Sequence, residues 1–386
     1  MEKIRLILPA ILGIFMISQP ACSSGNDTKE PVRFYAGSGN GKLERPIFLC
    51  ELDPVNEEIS VVDSFPATGG AGYLALGPDG KTLFATSGAS VPGNEGEGAV
   101  ASFRVDPGSS GLELINRQSS KGRGNCHVNV SPDGKYLFAA NYSSGHAAAF
   151  PVDRDGRIMP ASSVVRGEGS GPVGNRQEGP HAHQVVTDPA GKYLLVPDLG
   201  TDKVMNYAFN GETGELIPNP DQAFLEMSPG TGPRHLAFHP SGKYLYILGE
   251  LNASLTACRF DPGSGRMTVI NTASIVEDDF GGNRQSAAVR VHPNGRFVYA
   301  SNRSGESCLT VFRIIDGGGI EQVQVLKNVP AWPRDFNITP DGNYIVLAGA
   351  RANELALYRV DPGNGRLSPT GNKANLPGPI CILFIE

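Results

Sequence analysis

Val128-Asn-Val-Ser-Pro-Asp-Gly-Lys-Tyr-Leu-Phe-Ala-Ala-Asn-Tyr142 is the stretch whose reading decides the fold. One apolar run enters Ser-Pro-Asp-Gly and a second leaves it. Proline presets a central position of a tight turn and glycine suits its end, so the stretch reads as two antiparallel strands about a reversal. The pattern recurs as LALGPDGKTLFATS from Leu74, VVTDPAGKYLLVPDLG from Val185, LAFHPSGKYLYILGE from Leu236, VRVHPNGRFVYASNR from Val289 and FNITPDGNYIVLAGA from Phe336. The turn prolines, Pro78, Pro132, Pro189, Pro240, Pro293 and Pro340, are 47 to 57 residues apart. A second signature follows each, as in VASFRVDPGSSGL, LTACRFDPGSGRM and LALYRVDPGNGRL, where another reversal separates a third strand from a fourth. Four antiparallel strands in each unit of roughly fifty residues is the repeat of a β-propeller.

The count reaches seven once the termini are joined. VRFYAGS (Val32 to Ser38), IFLCELDP (Ile47 to Pro54) and ISVVDSF (Ile59 to Phe65) match second, third and fourth strands, and PICILFIE (Pro379 to Glu386) supplies the missing first. The expected architecture is all-β, a seven-bladed propeller over residues 31–386 closed by N- and C-terminal strands in one blade. Closure of that kind removes the exposed sheet edges that an open array would leave. AGSGNGKL (Ala36 to Leu43) lacks the spacing and hydroxyl of a phosphate loop and reads as a hairpin tip. The glycine-rich stretches from Ser87 to Ala99 and from Gly167 to Gly179 read as loop insertions.

Composition narrows the partners. The chain of 386 residues carries a net charge of −6 with no basic stripe, which argues against nucleic acid. Its six cysteines lack CxxC or metal-type spacing, so neither a disulfide framework nor a zinc ribbon is expected. Residues 1–22 form an export-type segment: Lys3 and Arg5, an apolar run from Leu6 to Ile17, then a small residue before Cys22. The run is short for a membrane span. Cys22 and the polar tether 23–30 resemble a bacterial lipoprotein leader, although Gln19 stands where such sites usually carry an aliphatic residue. The expectation is an exported, lipid-anchored protein at the periplasm or cell surface, cytoplasmic if the leader is not used. The anchor would be its one membrane contact.

The repeat also places a site. Residues just before each inner strand and just after the second strand share one rim of the central channel. There the sequence assembles His127, His181, His183, Arg234, His235 and Arg334, with Tyr142, Asp198, Glu250, Asn252, Asn302, Arg303 and Arg351. Ionisable groups from several blades at one mouth suit a small anionic molecule. His239 and His292 fall at the opposite end and read as structural. Arg334 and Arg351 are candidates for pairs between blades, and Arg234 with Glu250 for a buried salt bridge. His181 and His183, at strand spacing, point to one face. They could clamp a metal, pack in the core or handle a proton or substrate. With no third ligand placed, neither metal nor cofactor is expected, and the rim favours proton or anion handling.

The ordered set GNCHVNVSPDGKYLFAANYSSGHAAAFPV, RQEGPHAHQ, GPRHLAFHPSGKYLYILGELN and VRVHPNGRFVYASNR resembles the seven-bladed propeller lactonases, which include bacterial 6-phosphogluconolactonases and fungal carboxymuconate cyclases. That resemblance covers residues 31 to 386. It implies a site made from His181 or His183, Arg234, Glu250 and Arg303. His127, His235, Asn252 and Asn302 join as substrate-binding candidates from the same rim. The expected reaction is hydrolysis of a small anionic sugar-acid lactone, with Glu250 or His183 as base, Arg234 and Arg303 on the oxyanion or substrate anion, and His181 orienting substrate or returning the proton. The alternatives are a carboxymuconate-type cycloisomerase and a non-catalytic exported propeller that binds glycan or protein.

Overall fold

Seven antiparallel sheets form a closed ring in the computed structural model, which describes residue 1 and residues 30–385. The export-type segment and Cys22 lie outside the described residues. Blade 1 joins the termini: Pro379–Phe384 pairs with Val32–Ser38, which continues to Ile47–Asp53 and Glu58–Phe65. Blades 2 and 3 begin with inner strands Leu74–Leu76 and Asn125–Val130, and blades 5, 6 and 7 with Pro233–Phe238, Ser286–Val291 and Pro333–Ile338. The sole described helix is a three-residue 3₁₀ turn at Asp316–Gly318.

The turns form for the reason the sequence implies. Gly134 N donates to Ser131 O at 2.9 Å across Ser-Pro-Asp-Gly, with Gly134 at φ +73°, a conformation that favours glycine. A Cβ there would also press on Pro78 of the preceding blade at 3.2 Å. At the same end His239 Nε2 meets Gly295 O, and His292 Nε2 meets Gly342 O, each at 2.9 Å. Those two histidines therefore tie successive blades together, as expected of structural residues.

The apolar core lies between blades and not at the ring's centre. Seven buried clusters occupy the seven blade-to-blade contacts: Phe138 with Leu194, Leu195 with Leu236, and Tyr246 with Val289 are examples. The clusters leave the inner strands free to carry polar side chains into the channel. There a local irregularity sets their aim. In blade 3 the register skips Cys126, in blade 5 Arg234 and in blade 7 Arg334. Such bulges insert one residue and redirect its side chain.

Blade 4 departs from the four-strand plan. Its inner strand shrinks to Val186–Thr187, and Lys203–Phe209 pairs with two short outer strands, Leu216–Pro218 and Phe224–Glu226. The segment GPHAHQ therefore precedes the inner strand and does not begin it. A bridge from Ala182 to Asp198 and backbone bonds from His183 N to Pro197 O and from Leu199 N to His181 O, each at 3.0 Å, tie it to the second strand.

Candidate active site

Glu250, 1% exposed and directly after strand Tyr244–Gly249, is the centre of a buried charged cluster. Three guanidinium groups surround it. Arg234 of the same blade places Nε 3.0 Å from Oε2, and Arg303 of blade 6 places Nη2 2.8 Å from the same oxygen. Arg176, from the insertion between blades 3 and 4, donates Nη2 to Oε1 at 2.6 Å. One carboxylate thus gathers arginines from three parts of the ring. Arg234 is held further by its donation to Ala287 O and by Nη1 at 3.1 Å from His235 Nε2.

The arrangement leaves donors to spare. Arg234 Nε and Arg303 Nη2 both lie against Glu250 Oε2, whereas Arg303 Nε and Nη1 are buried without a hydrogen-bond partner among the described residues. Buried polar groups are normally satisfied, so an unpartnered set beside a channel calls for an explanation. Burial, and next the Arg334 guanidinium, pull Arg234 down to about 9 despite Glu250.

Histidines line the adjacent wall. His183 and His235 rings lie 5.4 Å apart, His127 and His235 5.7 Å, and His127 packs against Tyr73 at 4.0 Å. All three rings are buried, and burial with nearby arginines holds each well below the ordinary histidine range. They are neutral near pH 7, each with an Nδ1 that has no partner among the described residues. His181 is placed differently. It stacks on Tyr142 at 4.4 Å and 9°, and its Nδ1 donates to Tyr142 O at 2.9 Å. Its Nε2 lies 3.5 Å from Glu178. Asp198 fixes this segment by accepting from the backbone of His181 and Gly200 at 2.7 and 3.0 Å.

A second ion pair joins the inner strands of blades 6 and 7. Arg290 donates to Asp335 at 2.8 Å, and the other Asp335 oxygen accepts from Ile382 N at 3.0 Å. Among the described residues no group of three His, Cys, Asp or Glu side chains could hold a metal ion. A cavity of about 440 Å³ between blades 1 and 2, lined by Phe103, Leu114 and Arg117, is separate from this cluster. Its Arg117 is bonded to Ser87 and to the carbonyl of Ala89.

The expected residues thus divide. Glu250, Arg234, Arg303, His127, His183 and His235 share the channel mouth, with His181 joined through Tyr142. Asn252 and Asn302 have local partners: the first meets Thr231 and Ser254, the second Gln285 and Ser304. Arg351 forms no ion pair among the described residues and lies 3.4 Å over the Trp332 ring. Arg176, Tyr73, Arg290 and Asp335 were absent from the expected set. Arg176 sits in RQEGPHAHQ, five residues before His181, and that clustering of polar residues in an insertion was its one signal.

Residues 33–384 match the family described as Lactonase, 7-bladed beta-propeller. The chain belongs to that family. It is accordingly an enzyme of the lactonase class. It is 32% identical to a 6-phosphogluconolactonase of Bacillus subtilis over 356 residues, 91% of this chain and 98% of that protein. It is 29% identical to one from Formosa agariphila over 326 residues, 83% of this chain and 90% of that protein. The solved periplasmic gluconolactonase of Pseudomonas aeruginosa superposes with a TM-score of 0.86 at 28% identity, covering 92% of this chain and 99% of that one.

Proposed function

We propose that this lactonase hydrolyses a sugar-acid lactone, 6-phosphogluconolactonase-like in substrate class, at the mouth centred on Glu250. The observation that carries this reading is the pair of buried N–H donors on Arg303, Nε and Nη1, that have no partner among the described residues, held beside the Arg234 guanidinium and Glu250. Lactone opening develops negative charge on the carbonyl oxygen, and preorganised donors in a dry site stabilise it strongly. Water adds to the carbonyl carbon while His183, a neutral imidazole with a free Nδ1, takes its proton. The ring C–O bond then breaks, the alkoxide takes that proton back, and an open-chain hydroxy acid results. Both Glu250 oxygens face guanidinium nitrogens at 2.6 to 3.0 Å, so this carboxylate organises the arginines and is not the base. His181, fixed by Tyr142, orients the substrate at the rim.

The test is a panel of sugar lactones assayed by proton release on the chain lacking residues 1–22, with and without a chelator. Opening of a sugar-acid lactone, indifferent to chelator, is the expected result. No turnover across the panel overturns the reading, and isomerisation without uptake of water moves it to a cycloisomerase. We further propose that the chain is exported and lipid-anchored through Cys22. The leader pattern and the periplasmic gluconolactonase among its structural relatives support this. The substrate would then be a lactone met outside the cytoplasm. Lipid labelling lost in Cys22→Ala is expected, and labelling that persists contradicts it.

A further inference from the structure

Arg334 is the mouth's unexplained charge. It sits on the bulge of the last blade: Pro333 pairs with Gly349 and Asp335 with Ala348, leaving Arg334 as the extra residue. Arg234 and Cys126 hold the corresponding positions in blades 5 and 3. Arg234 reaches Glu250, and Cys126 Sγ lies 3.3 Å from His183 O, so this position delivers side chains to the mouth. Arg334 is partly exposed and has no hydrogen bond or ion pair among the described residues.

No neighbouring carboxylate is left for it. Asp335, next in sequence, is taken by Arg290 and Ile382 N, and Glu250 by its three arginines. The charged group that most affects Arg234 after burial is Arg334 itself, a like charge. An unpaired guanidinium beside a buried one costs stability. A fold that keeps it there is arranged for an anion that arrives later. The backbone beside it points the same way. Trp332 adopts φ +62°, a left-handed conformation uncommon for a bulky residue, and its ring lies under Arg351 at 3.4 Å and 5.3 Å from Arg303. Such strain gathers at ligand clamps.

Resting on the lactonase reading above, we infer that Arg334 is the specificity-determining residue of the mouth. Its planar fork takes a peripheral phosphate or carboxylate of the lactone, while the Arg234 and Arg303 donors face the reacting carbonyl oxygen.

The experiment compares wild type, Arg334→Met and Arg334→Lys on three lactones: neutral δ-gluconolactone, 6-phosphogluconolactone and the carboxylate-bearing glucarolactone. Arg334→Met should raise KM for the preferred anionic lactone roughly ten- to hundredfold with little change in kcat. KM for the neutral lactone should stay within about twofold, and Arg334→Lys should restore part of the loss. Which anionic lactone responds tells phosphate from carboxylate. Without ligand, Arg334→Met should melt no lower than wild type, whereas a structural arginine would lower Tm. An equal effect on all three lactones, or none, overturns the proposal. If wild type opens none of them, the lactonase reading fails and binding decides this one. The chain has a single tryptophan, so a change in Trp332 fluorescence with inorganic phosphate or 6-phosphogluconate, lost in Arg334→Met, supports an anion site. The same titration in both proteins, or no response in wild type, contradicts it.

Discussion

Two carboxylates in this ring are equally buried and differently used. Glu250 and Asp335 are each 1% exposed, and each lies within 3.0 Å of an arginine. Asp335 is balanced: one guanidinium and one backbone N–H cover its oxygens and join the last blade to the strand that closes the ring. Glu250 is over-supplied, with three arginines and donors left unpartnered. A closed pair satisfies its own charges and makes structure. An array with excess positive charge and idle donors is completed only by something from outside. That difference separates site from scaffold more clearly than burial or charge alone.

The comparison can be broken by removing each carboxylate. Glu250→Ala leaves three guanidiniums with no counter-charge. It should cost about 3–5 kcal/mol of stability and abolish lactone hydrolysis, measured by chemical denaturation and by steady-state turnover. Next in size, Arg303→Met removes donors without emptying the core. It should lower kcat/KM for lactone opening about 10²–10³-fold, and Arg303→Lys should recover only part, since an ammonium lacks the planar fork. Asp335→Asn should do the reverse, lowering stability by about 1–3 kcal/mol with kcat/KM within about threefold.

The smallest effect concerns protons. His127, His183 and His235 are held below the ordinary value of 6.5, chiefly by burial. Below that value the unfolded chain binds more protons than the folded one, so stability should fall as pH drops beneath about 6.5 and be independent of these rings above it. Thermal melts of wild type and His127→Asn between pH 5 and pH 8 check this, the variant showing the shallower acid slope. Because the His183 lone pair is retained on the acid side, the activity plateau should extend below pH 6.5 as well.

Much of this was legible in the sequence, and what was missed shares a physical reason. The repeated Pro-Asp-Gly turn fixed blade number, strand order and the rim, because turn chemistry is local. The closing strand Pro379–Phe384 was legible because one blade lacked its first strand. Glu250, Arg234 and Arg303 were named from rim position and resemblance together. The bulges at Cys126, Arg234 and Arg334 were not legible, since one extra residue in a pairing register leaves no mark in an aligned repeat. Arg176 lies in an insertion that has no counterpart in the other units, so no register could place it. Arg290 sits within the regular run VRV and Asp335 directly after the Arg334 bulge, where the alignment predicts only inner-strand residues. Asn252 and Asn302 had rim positions, but neighbouring turn residues engage their amides. Position on the rim is necessary for the site, and freedom from local partners must be added to it.

The central claim is that the arginine array around Glu250 performs the chemistry while the Arg290–Asp335 pair holds the ring. One measurement tests it most directly: kcat/KM for sugar-lactone opening, with Tm recorded alongside, in Arg303→Met and Asp335→Asn. The account predicts a loss of about 10²–10³-fold in Arg303→Met at a nearly unchanged Tm, and near-wild-type turnover by a less stable Asp335→Asn. Undiminished turnover in Arg303→Met, with activity lost in a well-folded Asp335→Asn, would contradict it.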